Sequence, residues 1–167
     1  AYTIAGTGSS QPQGVLYGGT AGLTIDDTNS IAVTEIPELL GKLHEVYAND
    51  AVFTMKRATY MALLGLTGNQ FQLWQPNMGV PSGMNGDGIL MDRPVLFSDS
   101  MPAYTTTAYK SVCVGDWSMY ALVRSKNVSV LRNPYLYGGS FQTAFHFTAR
   151  WGGAVIQAEA FQYGTQA

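Results

Sequence analysis

The sequence predicts an α+β fold, and three observations predict it. Apolar residues at helical spacing are confined to residues 36–66, those beyond Gln70 fall in short extended runs, and the two kinds of segment do not alternate. Helices first and mostly strands afterwards is the order of an α+β protein rather than of an alternating α/β one. The chain has 167 residues. That length suits one domain, or one domain with an appendage, and lets roughly 70% of the unfolded surface be buried without metals or disulfides.

Each element follows from its own residues. The opening "GTGSSQPQGVL" (6–16) poses a choice between a phosphate cradle and a bend. A dinucleotide fingerprint needs glycines at its first, third and sixth positions, but counting from Gly6 the sixth is Gln11, and Pro12 opposes an immediate helix. No Gly-Lys-Ser/Thr triplet exists, so the stretch reads as a bend. "GGTAGLTIDDTNSIAV" (18–33) reads as a second turn-rich connection. "IPELLGKLHEVYA" (36–48) reads as one helix with Leu39, Leu40, Leu43, Val46 and Tyr47 on one face. Pro37 suits its first position and Glu38 its positive dipole end. "AVFTM" follows as a buried strand, and "KRATYMALLGL" as a short helix closed by Gly68-Asn69.

Next come "FQLW" as a strand, and a loop rich in Pro and Gly over 75–88, expected to be the most mobile long segment. "ILMDRPVLFSD" reads as an extended segment broken at Asp92-Arg93-Pro94, and "SVCVGDWSMYALVRS" as two apolar runs around a Gly115-Asp116 turn. At the end, Phe145, Phe147, Ala149 and Trp151 alternate with polar residues. Gly152-Gly153 then offers a hairpin turn, so 143–161 is expected to be an antiparallel hairpin with Phe145, Phe147 and Trp151 buried.

Charge and motifs exclude several functions. Only 12% of residues are charged, about half the usual share, which points to surfaces covered by a partner or to a sugar-binding surface. The nine Lys and Arg look scattered and the net charge is −2, so no sequence-specific nucleic-acid partner is expected. No run approaches a membrane span of ~20 apolar residues. Cys113 has no intrachain partner and reads as a small buried hydrophobe. Ser140 lies in "GGSFQ", which has Gln142 where a nucleophile elbow requires Gly. His44 reads as a surface residue of the helix, and His146 as a structural histidine on the polar face of a strand.

The "NGDGILMD" stretch holds Asn85, Asp87 and Asp92, but a calcium loop needs an oxygen ligand where Ile89 stands. Asp26-Asp27 read as solvated carboxylates, and Asn127 opens a chance glycosylation triplet. No catalytic, cofactor-binding or metal-ligating residue is assigned, no cofactor is expected, and the protein is not expected to be an enzyme. A carbohydrate-binding module, suggested by Trp74, Trp117, Trp151 and the ten Tyr, would need coplanar exposed rings.

The order of segments resembles the C-terminal part of the major capsid proteins of tailed bacteriophages, the Hong Kong 97-type fold. The segments that carry the likeness are "GTGSSQPQGVL", "PELLGKLHEVY", "AVFTMKRATYMALLGL", "GILMDRPVLFSDSMP", "VGDWSMYALVRS" and "ARWGGAVIQAEAF". The resemblance implies a mixed sheet flanked by helices, the axial domain, at 23–124 and 151–164. It implies a peripheral-domain part at 1–22 and 125–150, with "NPYLYGGS" as the bend of a long β-hairpin.

It further implies a structural head protein of a phage or prophage, self-assembling into the icosahedral shell that encloses the genome. Its partners would be copies of itself, in pentamers and hexamers of the full-length protein, with scaffold, maturation protease and portal as further candidates. The implied location is the virion capsid, and the host bacterial cytoplasm during assembly. An encapsulin-type nanocompartment shell protein shares the fold and is the alternative. Some members crosslink through a Lys and an Asn. The Asn position falls near Leu136, with Asn133 closest, and crosslinking is not carried over. The chain opens within a turn-rich stretch, so a spine helix is expected upstream, and the piece in hand is expected to be a monomer or weak oligomer at micromolar concentration, unable to form shells. The loop at 75–88 would project towards a symmetry axis.

Overall fold

The computed structural model describes residues 2–25, 31–32, 34–65, 88–105 and 108–167. In chain order it contains α1 (Tyr2–Ala5), α2 (Val15–Gly18), β1 (Thr20–Ile25), α3 (Glu35–Gly41), α4 (Glu45–Ala48), β2 (Val52–Met55) and α5 (Arg57–Leu64). There follow β3 (Gly88–Leu90), β4 (Arg93–Phe97), β5 (Lys110–Gly115), β6 (Tyr120–Tyr137), β7 (Gln142–Val155) and β8 (Phe161–Gln166). The expected α+β class is what forms. Six strands make one mixed sheet in the order β1-β8-β5-β2-β4-β3, and β6 and β7 make a separate two-stranded ribbon.

The sheet is covered on both faces. On β5, Val112 and Val114 join the core formed with Ile36 and Leu39 of α3 and Tyr60 and Leu63 of α5. Cys113, between them, points to the other face and packs with Ile4, Val15, Leu16, Met101 and Phe161. A strand buried on both faces reads as an unbroken apolar run, which is why Val112-Cys113-Val114 does not alternate. Burial pushes the Cys113 thiol up to about 12, against a smaller lowering by Lys110. Lys110 itself donates to the Leu16 carbonyl and lies over the Tyr163 ring, 3.9 Å from its centroid, tying α2 to the sheet.

Four expectations need correction. The helix expected over 36–48 is two: α3 ends at Gly41, the backbone is extended at His44 (φ −62°, ψ 137°), and α4 restarts behind it. The His44 ring accepts the Val46 N–H at 3.3 Å, so this histidine is a helix cap. The break leaves Val46 exposed rather than on the buried face with Leu39 and Leu43. Pro37 sits at the third helical position, where an amide still has no acceptor in its helix. Secondly, the supposed connection at 18–33 contains β1, held by parallel pairing with β8.

Thirdly, the break in 89–99 is a two-residue turn at Met91-Asp92, both at positive φ (51° and 63°), with Arg93 and Pro94 already in β4. Lastly, Gly152-Gly153 is no turn. β7 runs straight through it, Gly153 opposite Leu122 and Gly152 opposite Val123. The buried strand at 52–55, the short helix at 57–64 and the turn at Gly115-Asp116 form as expected, with α5 capped by Gly65 and Asp116 accepting the Ser118 N–H at 2.8 Å. The expected close at Gly68-Asn69, the "FQLW" strand, Trp74, Asp26-Asp27, Asn85, Asp87 and the loop at 75–87 lie outside the described residues; Gly88 begins β3.

Candidate assembly surface

Strands β6 and β7 form an antiparallel arm that bends back through a short helical turn at Gly138–Ser140, within the "NPYLYGGS" segment expected to bend. In such a pair, residues opposite each other share a face, and residues two apart return to it. Val130 opposes Phe147 and Arg132 opposes Phe145, so these four share one face. Ser129 opposes Thr148, with their hydroxyls 2.5 Å apart, and Leu131 opposes His146, giving a more polar second face.

Beyond its base, neither face is covered by a second layer among the described residues. Val130 is 56%, Phe145 56% and Phe147 68% exposed, and at the tip Tyr135 is 90% and Phe141 fully exposed. Trp151 is 53% exposed beside Arg124, whose guanidinium lies 5.6 Å from its ring centroid. The expected burial of Phe145, Phe147 and Trp151 is therefore wrong for the isolated chain. The alternation marks a face, but the layer that would bury it is not among the described residues.

The base of the arm is anchored by the opening loop. The Gln13 N–H donates to the Gly153 carbonyl at 2.8 Å, and the Tyr120 hydroxyl donates to the Gln13 carbonyl at 2.8 Å. Burial raises the pKa of the Tyr120 hydroxyl above its ordinary value. A β-carbon on Gly153 would strike the Tyr120 hydroxyl, and one on Gly14 would strike the Ile4 carbonyl. The glycines of these stretches thus serve close approach of backbone. The opening loop, with its Thr7–Gln13 bridge, forms an open groove with residues 151–154.

The residues weighed for chemistry stay apart. Ser140 is exposed in the arm's tip, exposed His146 opposes Leu131, and His44 caps α4. Asn127 accepts from Arg124 at 3.0 Å, and Asn133 accepts the Tyr135 N–H at 3.0 Å; Leu136 is exposed. Trp117 packs edge-on against Phe161 and Tyr120 and is partly buried on the core, not on an exposed face. Among the described residues no group of three or more His, Cys, Asp or Glu is placed to hold a metal. Sequence reasoning missed the Tyr120–Gln13–Gly153 junction and the gathering of basic residues on the arm. The second had a visible signal, since no Asp or Glu occurs between Asp116 and Glu159.

A family model described as "Phage capsid family" matches residues 1–166. Among solved structures, the chain is similar to the capsid of a native GTA particle, with TM-score 0.78 and 21% identity, over 99% of this chain and 59% of that one. It is similar to Gordonia phage Cozz with TM-score 0.61 and 13% identity, over 99% and 58%. It is also similar to the holo-SrpI encapsulin complex from Synechococcus elongatus PCC 7942, with TM-score 0.66 and 14% identity, over 98% and 58%. The chain spans 60% or less of the length of these relatives. No curated protein matches the sequence. The likenesses bear out the Hong Kong 97-type fold.

Proposed function

The chain belongs to the phage capsid family, and from that membership we propose that it is the shell-building part of a major capsid protein. Copies of it associate into the icosahedral head of a phage or prophage that encloses the genome. The role is structural, and its seat is the virion, reached from the bacterial cytoplasm where heads assemble. The observation that carries the reading is the arm. A two-stranded ribbon is marginally stable in water, and this one exposes large apolar side chains along its length. Such a surface is used when a neighbour covers it.

We place the axial domain at 23–124 and 151–164 and the peripheral part at 1–22 and 125–150. The register shift between Arg124 and Lys126, a few residues above the base of the arm, supports the second boundary. Scaffold, maturation protease and portal are the further partners of this reading. An encapsulin-type compartment shell is the alternative, favoured by the likeness to the Synechococcus complex. Electron microscopy and light scattering of the purified protein test the reading. Rings or closed particles support it, and a monomer at every concentration and ionic strength contradicts it. Particles recovered from cells distinguish the two shells, nucleic acid inside marking the phage head and protein cargo the compartment.

A further inference from the structure

The charge of the chain is divided between its two regions. Residues 120–155, the arm, carry Arg124, Lys126, Arg132 and Arg150 and no carboxylate, whereas the rest carries eleven carboxylates against five cations. A chain of net charge −2 is thus an arm of +4 joined to a body of −6. On the arm's apolar face, exposed Arg132 stands at a register position beside Val130, Phe145 and Phe147. Arg132 and Arg150 have no ion-pair partner among the described residues. On the body, the most exposed large apolar side chain among the described residues outside the arm is Val46 of α4, at 71%. It is flanked by exposed Glu45 and, four residues on, by exposed Asp50.

We propose that the Val130–Arg132–Phe145–Phe147 face of one copy docks on the α4 surface of a second copy, a step that rests on the shell-subunit reading. Val46 receives the phenyl rings, and Glu45 and Asp50 face Arg132. One arginine among large apolar side chains has the composition of an interface centre. Complementary charge selects arm-to-body pairing, because two arms of like charge repel. The contact joins unlike surfaces, so it is head-to-tail and generates a ring when its rotation closes. Duplex DNA is the competing polyanion, but a face with three large apolar side chains around one cation offers few phosphate contacts.

Analytical ultracentrifugation of the full chain from micromolar to millimolar concentration tests the docking. Arg132→Glu and Glu45→Lys should each weaken self-association at least about tenfold, and the two together should recover most of that loss. Both residues are exposed, so the thermal transition of each variant should match that of the parent. Arg132→Gln, which removes the charge without reversing it, should give a smaller loss in the same direction. Association indifferent to both reversals, or a double variant no better than the singles, overturns the docking and leaves the shell reading standing. A parent chain that never associates overturns both. Binding of a short duplex DNA that Arg132→Glu abolishes and Glu45→Lys leaves unchanged also overturns it, by assigning the arm to nucleic acid.

Discussion

The six-stranded body and the two-stranded arm use the same kinds of residue and treat them oppositely. In the body, Phe53, Phe161, Val112 and Val114 are wholly buried, while in the arm Phe145, Phe147, Val128 and Val130 are each more than half exposed. Strand geometry does not separate them. The difference is the second layer. The body's sheet has α3 and α5 on one face and α1 and α2 on the other, and among the described residues no such layer covers the arm beyond its base. Apolar strand content therefore states that a face will be covered, without stating by which chain. One region closes its core within the chain, and the other leaves its apolar face exposed.

Substitutions separate the two regions, and the largest effect belongs to the body. Phe161→Ala empties a site packed edge-on against Trp117, ring centroids 5.7 Å apart. It should cost about 3–5 kcal/mol in urea unfolding. The junction comes next. Gly153→Val drives a side chain into the Tyr120 ring and should cost about 1–3 kcal/mol, and limited proteolysis should then cut the arm faster. Tyr120→Phe leaves the Gln13 carbonyl without this donor and should cost about 1 kcal/mol by the same unfolding assay. The smallest effect is on the arm itself, where Phe147→Ala should change subunit stability by no more than about 0.5 kcal/mol. A loss at Phe147 equal to that at Phe161 would mean that the arm is packed within its own chain.

A pH titration sharpens the same contrast from inside the body. Folding raises the Cys113 pKa to about 12 from an ordinary 9.0, so above pH 9 the folded chain keeps a proton that the unfolded chain releases. Stability is therefore unaffected by this thiol below pH 9 and is lost as pH rises from there towards 12. Cys113→Ala should flatten that part of the alkaline decline, read as the difference between the two unfolding profiles. An unchanged profile would show that the thiol is not sealed between the sheet and α1–α2.

How much of this was legible follows from what sequence periodicity encodes. The doubly buried β5 and the β2–α5 pair could be read because their apolar runs are local. The split between α3 and α4 could not, since Leu39, Leu43 and Val46 keep helical spacing across a break made by the backbone at His44. Gly152-Gly153 looks like a turn in one dimension. Its reason is the approach of Tyr120 and Gln13, residues 33 and 140 positions upstream of Gly153 in the chain. Arg132 and Arg150 look scattered until the hairpin register brings their strands together. The faces were visible in the sequence, and the contacts between distant segments were not.

Hydroxyl-radical footprinting of the dissociated and associated protein, read by mass spectrometry residue by residue, tests most directly whether the arm is the part of a core that a neighbour completes. Phe145, Phe147 and Val46 should be modified in the dissociated chain and protected on association, with Phe161 unmodified in both states. Equal modification of Phe145 and Phe147 before and after association would contradict it.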